Sequence, residues 1–197
     1  MARWCDIFFR GLFLFFLGVS LFLVCDALQG IRGGVVNPDP SLCGPLNPKL
    51  WIPLGCGLVS GLLSPFIDSK LGISDVYNNE WSSVLRCVAL FCGMNHATVR
   101  MDFASYLQLA TTVFGLSFAL WWIFDRSRVG FGCGMTVAVV ATILGQSFVW
   151  RRLLRFSHPI MTAWIPCLTF CGGVTMVLVG RQLAKPDVLA RSKRKID

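Results

Sequence analysis

Charge is scarce in this chain: Asp, Glu, Lys and Arg together make up 14% of 197 residues, about half of what a soluble domain carries, while 55% of the residues are hydrophobic. That balance, with a mean hydropathy of +0.66, excludes an ordinary soluble fold and indicates an integral membrane protein. Acidic residues number only 10 against 18 basic ones, a surplus that would elsewhere suggest a nucleic-acid partner. Here the basic residues stand at the ends of apolar runs and in the C-terminal segment, with no basic face, so nucleic acid is excluded as a partner and the charge reports topology. Paired cysteine spacing is also missing. Nearly all of the nine cysteines fall inside apolar runs, which implies no disulfide framework; Cys167 and Cys171, one helical turn apart, have no His or carboxylate near them and read as small packing residues, not as a metal site.

What is present is a series of apolar runs long enough to cross a hydrocarbon core about 30 Å thick. The first spans 7–28 and follows Arg3 and Arg10, so a signal peptide cut near Cys25-Asp26-Ala27 is an alternative reading of it. Glycines and prolines then crowd residues 29–49 and make a loop. A second span covers 50–67, where Gly57 and Gly61 form a small-xxx-small pair suited to close helix packing. The third covers 81–97: Ser82 and Ser83 can cap it, Arg86 lies one turn inside and can snorkel to the interface, and Asn95 and His96 fit a polar rim at its far end. Spans 103–124, 129–150 and 159–180 follow, then a tail, 181–197. The sequence therefore predicts one all-α domain, a polytopic six-transmembrane-helix bundle.

The fourth span is the polar one. At 100° per residue, Gln108, Thr112, Gly115, Ala119 and Trp122 share a stripe, an amide and a hydroxyl above two small residues closed by an indole. Such a stripe either bonds another helix or forms a ligand groove. Gly130, Gly132 and Gly134 at the start of the fifth span suggest a close-packing face. Between these spans lies Trp121-Trp122-Ile123-Phe124-Asp125-Arg126-Ser127-Arg128, where an aromatic pair meets charges, as at a membrane interface. Asp125 opposes the dipole of the helix it ends and so needs another role; Arg126 and Arg128 could satisfy it as an exposed pair worth about 0–1 kcal/mol.

With six spans both termini share a side. That side carries eleven Lys and Arg against six opposite, so the positive-inside rule puts both termini and Asp125 in the cytosol. Lys195 and Lys193 stand third and fifth from the C-terminus, the spacing of a dilysine signal for retrieval to the endoplasmic reticulum, or of a plain basic tail.

Several strings together resemble one family. Glu80-Trp81-Ser82-Ser83-Val84-Leu85-Arg86-Cys87-Val88-Ala89, Gly93-Met94-Asn95-His96-Ala97, Trp121-Trp122 through Phe131-Gly132, Trp164-Ile165-Pro166-Cys167 and Gly180-Arg181-Gln182-Leu183-Ala184 look like the Insig (insulin-induced gene) proteins over about residues 8–185. The resemblance implies a six-helix protein of the endoplasmic reticulum that binds an oxysterol such as 25-hydroxycholesterol and has no cofactor. It also implies retention of the Scap escort protein, through its sterol-sensing domain, together with the precursor of the sterol-regulatory element-binding protein. HMG-CoA reductase would be presented to membrane ubiquitin ligases for degradation. Matched by motif, the sterol-contacting positions fall on Phe91, Gln108, Thr112 and Trp121, and the carboxylate for Scap binding on Asp125. The helical stripe through Gln108 selects Trp122 and not Trp121, and the N-terminus and first loop depart from the family pattern.

Two other functions are weaker. Ser117 in span four and His158 before span six loosely resemble the rhomboid protease pair, but the topology places them at opposite edges, beyond the roughly 3 Å that a nucleophile and its base need, and Phe118 replaces the glycine usual after that Ser. A transporter calls for broken helices or a mid-membrane charge, and Arg86 lies near an interface. No enzymatic activity is therefore expected.

Overall fold

The structure, a computed structural model, describes residues 2–29, 35–36, 52–62, 80–101, 103–150, 155–156 and 161–193. Six helices account for nearly all of these: α1 (Ala2–Gln29), α2 (Ile52–Leu62), α3 (Trp81–Arg100), α4 (Tyr106–Phe124), α5 (Arg128–Trp150) and α6 (Met161–Lys193). Among the described residues, four helical stretches are long and apolar enough to cross a membrane, Ile7–Leu28, Leu107–Phe124, Arg128–Trp150 and Trp164–Pro186. The 20 residues of α3 would also reach about 30 Å at 1.5 Å per residue. In α2 the described part is shorter, and the rest of the expected 50–67 span lies outside the described residues. The protein is an all-α polytopic bundle, as the apolar runs predict.

Large apolar side chains such as Phe8, Phe13, Leu107, Phe114, Ile123, Ile143 and Trp150 face outward, which suits lipid as solvent and not water. Hydroxyls inside the helices satisfy themselves locally: Ser60, Thr98, Thr112, Ser117, Thr142 and Thr175 each donate to the carbonyl four residues back, at 2.7–2.8 Å.

The axis of the bundle is α6. In its spanning stretch 72% of the residues are buried, against 11% to 22% in the other three, and it packs on α1, α3, α4 and α5. Its sequence explains this, because Gly172 through Gly180 is small or apolar on every side, the pattern of a helix surrounded by others. The closest approach is to α5: a Cβ on Gly173 would lie 3.1 Å from Gly134 Cα, so the two backbones all but touch. Around this axis Leu14 and Leu21 of α1, Phe91 and Met94 of α3, and Leu120 of α4 join Phe170 and Val174 in one core.

The expected glycine contacts divide. A Cβ on Gly57 would meet Val19 and Phe15 of α1 at 2.7–2.9 Å, and one on Gly61 would meet the Gly11 carbonyl at 3.1 Å, so that pair is a packing face. On α5, Gly130 and Gly134 are buried but Gly132 has nothing within 4 Å of an added Cβ; two residues along a helix is about 200° around it, so Gly132 faces away.

Two further expectations change. The sixth helix does not end at 180 but continues to Lys193, taking in most of the expected 181–197 tail, and Arg181, Gln182 and Ala184 of that extension are buried. Asn95 is not a rim residue: it is fully buried and its Nδ2 donates to the Phe91 carbonyl at 3.2 Å, whereas His96 beside it is exposed. A two-residue antiparallel ladder, β1 (Val35–Val36) against β2 (Arg155–Phe156), pairs Val35 with Phe156 and Val36 with Arg155. It sets the chain leaving α1 beside the chain entering α6, at one end of the bundle.

Candidate functional site

The opposite end of the bundle is built around the α4–α5 turn. Helix α4 stops because Arg126 takes a left-handed φ of 48°, and the amides of Asp125 and Arg126 both donate to the Trp121 carbonyl at 3.0 Å. Ser127 then opens α5 as its N-cap, with its Oγ accepting from the Gly130 amide at 2.9 Å. The same hydroxyl donates to Asp125 Oδ2 at 2.9 Å and accepts from Arg181 Nη2 at 2.8 Å. One donor and two acceptor positions are thereby filled, the full capacity of a serine hydroxyl. Arg181 Nη1 completes the triangle by pairing with Asp125 Oδ1.

Asp125 is therefore not a solvent-exposed partner of Arg126 and Arg128. Its side chain is 0% exposed and that of Arg181 only 7%. The carboxylate opposes the dipole of α4 but rests against the first turn of α5, where a helix dipole favours negative charge. A Cβ on Gly130 would collide with Asp125 Oδ2; only glycine leaves room for the carboxylate there. Arg126 turns the other way, its guanidinium 4.6 Å from the centre of the Trp122 ring.

The second feature is the open face of α4. Gln108 and Gly115 are exposed, Thr112 and Ala119 half-buried, and Trp122 half-exposed, so the stripe faces away from the core. Gln108 and Trp122 lie about 21 Å apart along the axis, at 1.5 Å per residue. Nothing lies within 4 Å of a Cβ placed on Gly115. Gln108 also serves the helix end: its amide N–H donates to Ser105 Oγ and its Oε1 accepts from the Ala104 amide, both at 3.2 Å, a variant of the capping box. What it can offer a ligand is its amide NH2, a donor, while Thr112, already donating to the Gln108 carbonyl at 2.7 Å, can accept. A rod-shaped apolar molecule bearing a hydroxyl matches that arrangement.

Trp121 stands on the flank of this stripe, packed against Phe131 with ring centres 4.8 Å apart and against Phe118 at 5.4 Å. Its indole N–H donates to the Ser127 carbonyl at 3.1 Å. The helical arithmetic thus holds, with Trp122 outward and Trp121 inward, and Trp121 ties α4 to the residue that holds Asp125. Phe91, 5% exposed, lies in the core cluster against which Trp121 packs, its ring 3.9 Å from where a Gly172 Cβ would stand; it is not on the open face. Lys193 is the last residue of α6, and Lys195 lies outside the described residues.

Other candidates take ordinary places. Ser117 is buried and donates to the Val113 carbonyl at 2.7 Å, while His158 lies outside the described residues. Neither Ser82 nor Ser83 caps α3; the Ser83 and Val84 amides donate to the Glu80 carbonyl instead. Cys171 is a core residue, and the described residues contain no cluster of His, Cys, Asp or Glu that could hold a metal. An open depression of about 600 Å3 bordered by Thr142, Gln146 and Trp150 lies on α5, apart from α4 and from Asp125. Sequence reasoning missed Arg181, which it counted only as a topological charge.

Comparison with known proteins agrees with this architecture. The family model for insulin-induced protein (INSIG) matches residues 9–184. The chain is 45% identical over 181 residues to the insulin-induced gene 1 protein of Danio rerio, covering 89% of this chain and 72% of that protein. It is 44% identical to the insulin-induced gene 2 protein of Gallus gallus, covering 89% and 80%. Among solved structures, the mycobacterial Insig homolog MvINS from Mycobacterium vanbaalenii superposes with a TM-score of 0.76 over 89% of this chain and 94% of its own, at 19% identity, a likeness of fold.

Proposed function

Because the chain belongs to the insulin-induced protein (INSIG) family, we propose that it is an oxysterol-binding regulator of cholesterol homeostasis in the endoplasmic reticulum membrane, acting by binding and not by catalysis. An oxysterol such as 25-hydroxycholesterol lies along the open face of α4, with its hydroxyl at Gln108 and Thr112 and its rings over Gly115 toward Trp122, while Trp121 and Phe91 back that face from the core side. In that state the chain retains Scap, through its sterol-sensing domain, with the sterol-regulatory element-binding protein precursor. It presents HMG-CoA reductase to membrane ubiquitin ligases for degradation. Both termini face the cytosol.

The observation that supports this reading is the open stripe of α4, which faces away from the core. An amide and a hydroxyl stand above an open Gly115, and Trp121 connects that helix to Ser127 beside Asp125. An amide facing hydrocarbon is costly unless something polar meets it, and a sterol hydroxyl would do so. The test is competition of unlabelled sterols against labelled 25-hydroxycholesterol on purified protein. Saturable binding that cholesterol competes for poorly is the expected result; no saturable binding removes the sterol role.

A further inference from the structure

A carboxylate that recognises a partner by touching it should be accessible, and Asp125 is not. Its side chain is fully buried, both oxygens are engaged by Arg181 and Ser127, and Gly130 presses against it. Reaching a second protein would mean leaving the guanidinium of Arg181 unpaired in a largely buried position, a change that removes far more than an exposed contact returns. What the triangle does instead is fix a turn. Arg126 occupies a backbone region that a non-glycine residue rarely enters, Ser127 must hold its hydroxyl toward both Gly130 and Asp125, and Arg181 clamps the result to the central helix.

We propose that Asp125 is a positioning residue, and that Arg181 of α6 and the space left by Gly130 are its necessary complements, together holding the α4–α5 turn in the shape that the partner reads. This inference rests on the partner-binding role proposed above. It separates residues that hold the surface, Asp125, Ser127, Gly130 and Arg181, from those the surface exposes, Arg126 and Arg128. It also links the two sites, since Trp121 donates to the carbonyl of the serine whose hydroxyl holds Asp125.

Three substitutions in the full-length chain test it. Arg181→Met removes the clamp but keeps the carboxylate, Arg181→Lys keeps a cation, and Gly130→Ala keeps every charge while intruding on Asp125. Two readouts are taken on one preparation in detergent: hydrogen exchange of the Gly130 amide, and capture of a sterol-sensing domain in the presence of 25-hydroxycholesterol. We expect Arg181→Met and Gly130→Ala to speed exchange of the residue-130 amide, relative to its intrinsic rate, at least about tenfold by local opening of the turn, and to lose capture in parallel. Arg181→Lys should restore a substantial part of both. Undiminished capture by Arg181→Met would show that the carboxylate is itself the contact and overturn the proposal; so would unchanged exchange of the residue-130 amide in both variants. Wild-type protein that captures no sterol-sensing domain would defeat the proposed function instead, and the exchange arm would still decide whether the triangle orders the turn.

Discussion

Arg181 and Asp125, 56 residues apart in the chain, meet as a buried pair that joins the central helix to the turn between α4 and α5. A charge that directly follows the small and apolar stretch 172–180 of a surrounded helix must find its partner inside the protein, and Asp125 is the carboxylate that the fold brings to it. The geometry differs in kind from the exposed ion pair with Arg126 or Arg128 that the local sequence suggests, because the energetics of a buried pair are asymmetric. Removing one member strands the other.

Asp125→Ala is therefore expected to lower stability by about 3–5 kcal/mol, where an exposed pair would cost at most about 1 kcal/mol. The double substitution Asp125→Leu with Arg181→Met should recover most of that loss by leaving no unpaired charge. Thermal unfolding in detergent compares wild type, Asp125→Ala and the double variant. A single substitution as stable as wild type would return Asp125 to the role of a surface residue.

The glycines of the bundle give a second prediction, since they differ in what surrounds them. Gly173→Ala pushes a methyl toward Gly134 Cα at 3.1 Å, backbone that cannot rotate aside, so α5 and α6 must separate at a cost of about 1–3 kcal/mol. Gly132→Ala meets nothing within 4 Å and should be neutral or slightly stabilising, as alanine is the better helix former by about 1 kcal/mol. Equal midpoints for the two variants would contradict the close α5–α6 approach.

Much of this was legible in the sequence because it follows from local rules. The apolar runs gave six helices, the 100° spacing placed Gln108 and Trp122 on one open face, and the mismatch between Asp125 and its own helix dipole marked the turn as special. The parts that were not legible depend on contacts between distant segments. Arg181 looked like a topological charge because only packing shows that α6 is surrounded, and Asn95 looked like a rim residue because its burial is set by neighbouring helices. The end of α6 was misplaced because hydropathy falls at Arg181 while the helix, still buried through Ala184, continues.

The open face of α4 can be probed without disturbing the core. Gly115→Leu adds bulk where nothing lies within 4 Å, so stability should hold while 25-hydroxycholesterol binding falls. Gln108→Ala should weaken binding by up to roughly tenfold, the worth of one hydrogen bond at about 0.5–1.5 kcal/mol. Because Gln108 also accepts from the Ala104 amide, unfolding must be measured on the same sample. Phe91 calls for a gentler change, for Phe91→Ala would open a core cavity costing about 3–5 kcal/mol, and Phe91→Leu keeps most of the volume. Unchanged sterol binding in Gly115→Leu and Gln108→Ala would remove α4 as the ligand face.

Topology is open to a test that combines the charge bias with the small ladder. Val35 and Phe156 pair across the bundle's end, so the loop after α1 and the connector before α6 must lie on one side of the membrane. The eleven-to-six distribution of Lys and Arg places that side opposite the termini. Asp125, three helices further along than the loop after α1, belongs to the other end, where Arg181 reaches it. Glycosylation acceptors inserted in the 29–49 loop and in the 151–160 connector should both be modified in microsomes, and an acceptor at the N-terminus should not be. Modification of one connector without the other would break the pairing of Val35 with Phe156, whereas modification of the N-terminus with neither connector would keep the fold and reverse its orientation, moving Asp125 and any partner it serves to the lumen.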